Sequence, residues 1–369
     1  MSHTRSDVRA ATSDEQWVRR AVTRHGVVTT DVPDARTASA VLDADLRAAL
    51  TEWADSEGLS GPWSSLLVEC GVADEHAQTL HRIRVRNSLV CEAEAIRVVE
   101  QLTSAGVESW LLKGIAAANV DHADPAMRTG VDVDLLVRRT DVHRAVDVLE
   151  RSGHRRAEAA PRRGWERRYA RTLLLLGPAH VELDLHLTLA TGYFGAVLPM
   201  DELLARSHEL SLGGVPCRTL GLTGRALHSS YAAVLNRGAR LRYLRDLALQ
   251  ITAPRMDIDE LVALAERADG QAVVARAVAQ AVRAELIDPT HRLAEWALSV
   301  QPSRRAARAL AFSDAAPAVG WSADARSAML ALGPVAKLRY LMEFAVPRRG
   351  SGRRAGQTWR SAVRFVRSR

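Results

Sequence analysis

Hydrophobic and polar positions divide this chain into three parts that follow different periods. From residue 38 to 104, apolar side chains recur every three or four residues, as in helices that bury one face. Between residues 107 and 186, short apolar runs and strict alternation of polar and apolar residues predict strands, with a short helix after Gly114 and another before Gly153. From Asp201 onwards the helical spacing returns. The pattern therefore predicts an α/β core between two helical parts.

The amino-terminal part has the spacing of helices and no cluster of chemically reactive side chains. A turn at residues 58–62 is followed by a short helix over 63–70 and a long one over 74–104, which Gly106 ends. We predict that residues 1–75 form a helical extension, and that the core spans residues 76–200.

The core contains two strands whose polar side chains share one face. In V-D-V-D-L-L-V (131–137), Asp132 and Asp134 alternate with valines and point the same way. A hairpin with its turn at Gly177-Pro178 leads into H-V-E-L-D-L-H. There the polar residues His180, Glu182, Asp184 and His186 are predicted to lie on one face.

The carboxyl-terminal part, residues 201–346, is predicted to be a helical domain. Residues 216–220 allow one short strand before a run of helices, and residues 325–346 have the spacing of a single last helix. Asp246, on a helix with Arg242 and Arg245, is expected to form a structural ion pair. Residues 347–369 hold eight arginines and no acidic residue, so we predict a basic tail.

Composition narrows the class of protein. Of 369 residues, 47% are hydrophobic and 25% are charged, as in ordinary globular proteins, and no apolar run is long enough to span a bilayer. The amino terminus lacks an apolar segment of the signal-peptide type, which predicts a cytoplasmic protein. The three cysteines lie far apart, so we expect reduced thiols rather than a disulfide framework or a zinc site.

The net charge of +7 comes almost entirely from arginine, because the chain has only two lysines, Lys113 and Lys337. Such a bias is typical of a high-GC genome, which makes the arginine excess weak evidence for a nucleic-acid partner. Nucleic-acid binding by residues 154–171 or by the tail is possible but not favoured. Lys113 is informative, since a compact ammonium suits a phosphate or carboxylate in a tight space.

Paired carboxylates on one strand repel each other unless a cation lies between them. Mg²⁺ binds carboxylate oxygens together with substrate phosphates, so Asp132 and Asp134 are candidate metal ligands. If the strand at 180–186 lies alongside, Asp184 supplies a third carboxylate and Glu182 is an alternative to it. Three carboxylates can hold two cations about 4 Å apart. A solvated pair of strand carboxylates is the simpler alternative.

A strand that runs into Lys113-Gly114 and then into a helix presents free backbone N–H groups, which favour phosphate. Lys113 and Gly114 are therefore candidate phosphate contacts, against the alternative of a capping or ion-paired lysine. Arg128, just before the aspartate strand, is a candidate for a bidentate phosphate contact. His186 is a candidate site residue, although most such histidines support other residues.

Three segments resemble the nucleotidyltransferase superfamily of the DNA polymerase β type: L-L-K-G-I-A, R-T-G-V-D-V-D-L-L-V and V-E-L-D-L-H. The most similar branch is the bacterial family of uncharacterised nucleotidyltransferases, and the resemblance covers residues 80–260. It implies a small mixed sheet with flanking helices, with Asp132, Asp134 and Asp184 as catalytic metal ligands. Lys113-Gly114 replaces the Gly-Ser or Gly-Gly that is usual in the superfamily, and the gap to Asp132 is longer.

We therefore predict an enzyme that transfers NMP from an NTP, such as ATP, to an unidentified acceptor with release of pyrophosphate. Mg²⁺ or Mn²⁺ is the expected cofactor. Two alternatives stay open: a catalytically silent nucleotide- or peptide-binding module in a biosynthetic complex, and a nucleic-acid-binding protein that uses its arginine-rich tail.

Overall fold

A computed structural model describes residues 13–28, 33–157, 165–235, 241–315 and 321–345. In this part of the chain a seven-stranded mixed sheet lies among helices, which confirms the predicted α/β class. The arginine-rich tail 347–369 and the middle of the basic segment 154–171 lie outside the described residues. None of the described helices is both long and apolar enough to cross a membrane.

Four amino-terminal helices share a small apolar core. They are α1 (Ser13–Arg24), α2 (Ala35–Ala40), α3 (Ala44–Ser56) and α4 (Ser60–Glu69). Val22, Leu50 and Trp63 are almost fully buried there, and the Trp63 indole donates a hydrogen bond of 2.8 Å to the Thr51 hydroxyl. This core stabilises the amino-terminal helices as a unit.

Helix α5 (Glu75–Ser104) agrees with the long helix predicted over 74–104. The Asp74 carboxylate caps its first turn by accepting a hydrogen bond from the Ala77 backbone N–H. Gly106, in the left-handed region with φ 67°, follows its last turn. The buried stripe of α5 packs against the sheet, so this helix joins the amino-terminal helices to the core.

The sheet has the strand order β3-β4-β5-β2-β1-β7-β6. Its strands are β1 (Ser109–Leu111), β2 (Val133–Val137), β3 (Arg155–Arg156), β4 (Thr172–Leu176), β5 (Glu182–His186), β6 (Ser207–Leu212) and β7 (Val215–Leu220). The pairs β2–β5 and β1–β7 are parallel, and all other neighbours are antiparallel. The predicted hairpin is confirmed as β4–β5, and β2 and β5 are neighbours as the proposed carboxylate site requires.

Strand β6 corrects the prediction that the chain is helical from Asp201 to the start of β7. Residues 207–212 form a hairpin with β7, and Gly213 and Gly214 turn the chain with φ values of 54° and 87°. Two glycines between short alternating runs are a recognised hairpin signal. The sheet therefore includes residues beyond position 200, where the core was predicted to end.

Helices cover the sheet and form most of the carboxyl-terminal part. Those within the sheet region are α6 (Lys113–Val120), α7 (Val142–Arg151), α8 (Trp165–Tyr169), α9 (Gly192–Val197) and α10 (Met200–Ala205). Those that follow the sheet are α11 (Leu222–Leu235), α12 (Leu241–Ile251), α13 (Ile258–Arg267), α14 (Gln271–Arg283), α15 (Arg292–Ser299), α16 (Arg304–Ala315), α17 (Trp321–Ala331) and α18 (Pro334–Ala345).

The last two helices correct the prediction of one helix over 325–346. Gly333 lies outside helix, and Pro334 begins α18, where its missing N–H costs nothing because the first turn has no partner for it. Proline also disfavours helical backbone in the residue before it, so the apolar spacing continues across a break in the helix.

Candidate functional site

The centre of the candidate site is the parallel pair β2–β5. Its register places Asp134 opposite Asp184 and Leu136 opposite His186. Candidate metal-binding atoms of Asp134, Asp184 and His186 all lie within 4.8 Å of one another. The Nε2 atom of His186 is 2.7 Å from Oδ1 of Asp134. Two carboxylates and an imidazole thus converge in the part of the chain that the structure describes.

Asp132 lies beside this cluster rather than within it. The chain bends at residues 131–132 and β2 begins only at Val133, so Asp132 is not on the strand with Asp134. Burial, and then the negative charge of Asp134, raise the pKa of the Asp132 carboxyl to about 6. The sequence predicted a trio of Asp132, Asp134 and Asp184, whereas the compact cluster contains His186, with Asp132 as a neighbouring carboxylate.

Lys113 brings a positive charge to the cluster. Its Nζ lies 2.6 Å from Oδ1 of Asp134 and 3.4 Å from Nε2 of His186. Lys113 starts α6 with φ 45°, a left-handed backbone that is uncommon for a residue with a side chain. The ammonium contacts a carboxylate here, and its predicted contact with phosphate remains a prediction.

The charges of the cluster are unequal. Burial alone would raise the pKa of the Asp134 carboxyl, but Lys113 and His186 outweigh burial and hold that pKa well below its usual range. Burial, and then the charge of Asp134, raise the pKa of the Asp184 carboxyl. Burial and the Lys113 ammonium lower the pKa of His186 to about 4, so its ring is neutral at neutral pH. The cluster therefore carries at least one firmly ionised carboxylate.

The neutral His186 ring has a partner at each nitrogen. The Thr172 hydroxyl lies 3.3 Å from Nδ1, and Asp134 faces Nε2. With the proton on Nε2, the ring donates to Asp134 and accepts from Thr172. With the proton on Nδ1, the ring donates to Thr172 and leaves the Nε2 lone pair for a metal ion.

Gly114 lies where the first turn of α6 meets the loop before Asp132. A Cβ atom at Gly114 would lie 3.4 Å from Cα of Gly130 and 3.7 Å from the Arg128 guanidinium. Both are ordinary van der Waals distances, so a Cβ atom would fit at this position. The phosphate contact predicted for Gly114 remains a prediction.

Arg128 is buried and bound to a carboxylate. Its Nε lies 3.0 Å from both oxygens of Asp246, and its guanidinium lies over the Tyr243 ring. His122 approaches the same carboxylate at 3.0 Å. The prediction that Asp246 pairs with Arg242 and Arg245 is thus corrected, because side chains from the loop before β2 take that place. In this structure Asp246 engages the guanidinium that we predicted to contact phosphate.

Glu182 and His180 lie farther from the cluster. Glu182 is exposed at the start of β5, and its charge contributes to the raised pKa of Asp184. His180 is in the hairpin turn with φ 59° and precedes β5, so it does not share the polar face of the strand as predicted. The left-handed backbone of the turn breaks the alternation on which that prediction relied.

Two residues near the cluster were not among the predicted site residues. His228 on α11 is 4% exposed and lines two small cavities that Lys113 also lines. Gln250 on α12 lines one of these cavities. The sequence offers one signal for these two residues, which is a polar side chain on a helix whose other positions are mostly apolar. That signal does not predict which strand the helix packs against.

The chain matches one family of known proteins and is similar to solved structures. Residues 46–284 match the family described as uncharacterised nucleotidyltransferase. Among solved structures, the chain is similar to the antibiotic-resistance factor ANT(2'')-Ia, with 15% identity, 53% of this chain and 98% of that chain covered, and a TM-score of 0.34. It is similar to a nucleotidyltransferase-like antigenic protein from Paracoccidioides brasiliensis, with 15% identity, coverages of 59% and 94%, and a TM-score of 0.35. No curated protein sequence matches.

The family match covers well over half of the chain and includes β2, β5, α6, α11 and α12, which surround the cluster. The chain belongs to the family of uncharacterised nucleotidyltransferases.

Proposed function

We propose that this protein transfers NMP from an NTP to an acceptor, with release of pyrophosphate and with Mg²⁺ or Mn²⁺ as cofactor. The observation that carries the proposal is the register of the adjacent parallel strands β2 and β5, in which Asp134 lies directly opposite Asp184, with His186 beside them. This arrangement sets two acidic ligands at one point of the sheet, as metal-dependent phosphoryl chemistry requires.

The donor set fits a divalent cation. Carboxylate oxygens suit Mg²⁺ and Mn²⁺, and an imidazole among them is better tolerated by Mn²⁺. Asp134 is ionised, as a ligand must be, and Asp184 and Asp132 supply further carboxylates in the same space. We assign Asp134 and Asp184 as ligands, with Asp132 and His186 as additional ones. When bound, the cation would neutralise charge on the phosphates and on the attacking and leaving oxygens.

The other residues position the reactants and move the proton. Asp184, whose pKa is raised, is proposed to accept the proton of the attacking hydroxyl. Lys113 has a flexible side chain beside the Gly114 turn. We propose that its ammonium leaves Asp134 and contacts the triphosphate when NTP binds. Glu182 stays a predicted substitute for Asp184. We assign Arg128, bound to Asp246, to the support of the aspartate loop.

Pyrophosphate release with each of the four NTPs, Mg²⁺ or Mn²⁺ and a broad acceptor mixture tests the proposal. Asp134→Asn and Asp184→Asn are expected to reduce turnover by about 100-fold or more and to weaken Mn²⁺ binding in calorimetry. Asp147→Asn, at an exposed position on α7, is the matched control and should behave as the parent protein. Equal Mn²⁺ and NTP binding in the parent and both site variants would contradict the metal-dependent mechanism.

A further inference from the structure

Thr172 lies at the start of β4, where the strand register places it directly opposite His186 on β5. Residues opposite each other in an antiparallel pair project from the same face of the sheet, so Thr172 lies on the face that carries Asp184. Its hydroxyl oxygen is 3.3 Å from Nδ1 of His186. Among the described contacts, Thr172 therefore reaches the metal cluster only through the His186 ring.

The His186 ring is completely buried, so each of its nitrogen atoms depends on a partner inside the protein. Nε2 lies 2.7 Å from Oδ1 of Asp134, an ionised carboxylate that can only accept hydrogen bonds. Two acceptors would repel each other at this distance, so without a cation the proton of the neutral ring lies on Nε2. Nδ1 is then the acceptor of the Thr172 hydroxyl.

The Lys113 ammonium does not reverse this assignment. Its Nζ lies 2.6 Å from the same oxygen of Asp134 but 3.4 Å from Nε2 of His186. The shorter contacts are those to Asp134, so the lysine and the histidine both donate to this carboxylate, and the approach of Nζ to Nε2 is a looser contact between two donors.

A metal ion binds an imidazole through a nitrogen lone pair, so His186 becomes a ligand only when Nε2 carries no proton. The ring proton then lies on Nδ1, and a buried N–H group needs an acceptor. A threonine hydroxyl is both a donor and an acceptor, and its rotation selects between the two roles. Because Thr172 is only half-buried, its hydroxyl hydrogen can turn towards solvent while its oxygen accepts.

We propose that Thr172 is a positioning residue, which lets His186 exchange its hydrogen bond to Asp134 for a metal ion by reversing the direction of the hydrogen bond at Nδ1. The inference rests on the proposed function and concerns how the same site takes up its cation. The ring carries one proton before and after the exchange. It loses the Nε2 proton to water and gains one from water at Nδ1, so the step needs no other reactant.

The position of the ring proton is measured directly by long-range ¹H–¹⁵N NMR of the full chain labelled with ¹⁵N-histidine. Zn²⁺, which imidazole binds well, serves as a diamagnetic probe, and the signals of His186 are those that disappear in His186→Gln. The proton is expected on Nε2 without Zn²⁺ and on Nδ1 with saturating Zn²⁺. A proton on Nδ1 without Zn²⁺, or on Nε2 in its presence, overturns the proposal.

A variant without the hydroxyl tests the role of Thr172 itself. Thr172→Val keeps the shape of the side chain and is expected to weaken Mn²⁺ binding in calorimetry about tenfold, as when a metal-binding histidine loses its partner. Mg²⁺ affinity should not change, since Mg²⁺ prefers carboxylate oxygens to imidazole. Thr172→Ser keeps the hydroxyl and should bind both ions like the parent protein.

Thr140→Val, at an exposed position before α7, is the matched control for this measurement. Equal losses of Mg²⁺ and Mn²⁺ affinity in Thr172→Val would indicate a general structural effect and overturn the proposal. If Thr172→Val does not fold, the ring-proton measurement on the parent protein decides.

The calorimetry also separates this inference from the proposed function. If the parent protein binds no Mn²⁺, or binds it equally well after Asp134→Asn, the proposed metal site is wrong and the inference fails with it. Mn²⁺ binding that Asp134→Asn weakens and Thr172→Val leaves unchanged supports the function and overturns the role of Thr172.

Discussion

At the scale of single residues, the candidate site combines carboxyl groups with very different affinities for a proton. Lys113 and His186 keep Asp134 ionised, while Asp132 and Asp184, also partly buried, hold their protons more tightly than usual. Without a cation, Asp134 is the one of the three that has a basic partner at hydrogen-bond distance among the described contacts. A site of this kind is under electrostatic strain that a bound cation would relieve.

Asp132→Asn is expected to stabilise the metal-free protein above pH 6. The folded-state pKa of about 6 exceeds the ordinary value of 3.8, so the folded protein binds the proton more tightly and stability falls as the pH rises between these values. Asparagine does not ionise, so the free energy of unfolding of the variant should exceed that of the parent by roughly 2 kcal/mol at pH 7.5, after allowance for solvent screening. This difference should disappear near pH 4. Urea unfolding in chelator measures it.

Asp147→Asn, an exposed carboxylate on α7, serves as the control for this experiment and should show no such pH dependence. A gain in stability of equal size at pH 4 and pH 7.5 would show that the effect does not arise from ionisation of Asp132.

Lys113→Met is expected to increase metal affinity while it lowers turnover. The ammonium and a metal ion compete for Oδ1 of Asp134, so removal of the ammonium leaves a buried carboxylate that binds the cation about tenfold more tightly. Calorimetry with Mn²⁺ in the absence of nucleotide measures the change.

Lys337→Met, at the other lysine of the chain and at an exposed position on α18, is the matched control. Weaker Mn²⁺ binding in Lys113→Met than in this control would mean that the lysine supports the metal site instead of competing for it.

At the scale of secondary-structure elements, the segment between α6 and β2 is fastened to α11 and α12 by two buried ion pairs. Arg225 on α11 holds Asp121, and Asp246 on α12 holds Arg128 with His122 beside it. This segment is the second part of the long stretch between Lys113-Gly114 and Asp132, after α6. Its carboxyl-terminal end leads directly into the aspartate strand, so the carboxyl-terminal helices help to position the loop before Asp132.

Asp246→Ala is expected to destabilise the protein by about 3–5 kcal/mol, because it leaves the Arg128 guanidinium buried without its carboxylate. Thermal and urea unfolding measure this loss. Asp314→Ala, which breaks the exposed pair with Arg276, should cost no more than about 1 kcal/mol.

A double variant, Arg128→Met with Asp246→Leu, should recover much of the lost stability because no unpaired charge remains. A double variant no more stable than Asp246→Ala would show that the pair matters for packing rather than for charge balance.

The elements near the site differ in how far sequence could predict them. Alternation around Asp134 and Asp184 is local, so it predicted both strands and the face that carries the carboxylates. Strand β6 was missed because its residues 207–209 are polar and exposed, which confines the apolar alternation to Leu210 and Leu212. The Lys113–Asp134 and Arg128–Asp246 contacts depend on how elements that are distant in sequence pack together. Neither the spacing of residues nor the composition predicts which carboxylate a buried lysine or arginine will contact.

At the scale of the whole molecule, the amino-terminal helices are tied to the carboxyl-terminal part by Arg245, the neighbour of Asp246. Its side chain is 1% exposed and donates a 2.6 Å hydrogen bond to the Thr23 carbonyl near the end of α1. Carbonyls at a helix carboxyl end attract a positive charge. Burial lowers the pKa of Arg245 to about 10, so the guanidinium is still charged at neutral pH.

Deletion of residues 1–28 is expected to lower the melting temperature strongly, because it exposes the α1 packing surface and removes the Thr23 carbonyl from the Arg245 guanidinium. Arg245→Met should destabilise the full chain but partly rescue the truncated one, since a methionine there needs no partner. Differential scanning calorimetry of the four proteins checks this sign reversal. Equal destabilisation of both chains by Arg245→Met would contradict the proposed link.

The parallel pairing of β2 with β5 has a consequence for the folding of the protein. His186 and Asp134 lie 52 positions apart in sequence, and parallel neighbours meet only after the intervening chain has closed. We therefore expect the proposed metal ligands to come together late, and after the transition state if the centre of the sheet closes last. In that order of events, Mn²⁺ slows unfolding and leaves the refolding rate unchanged, so a bound cation would stabilise the native sheet kinetically.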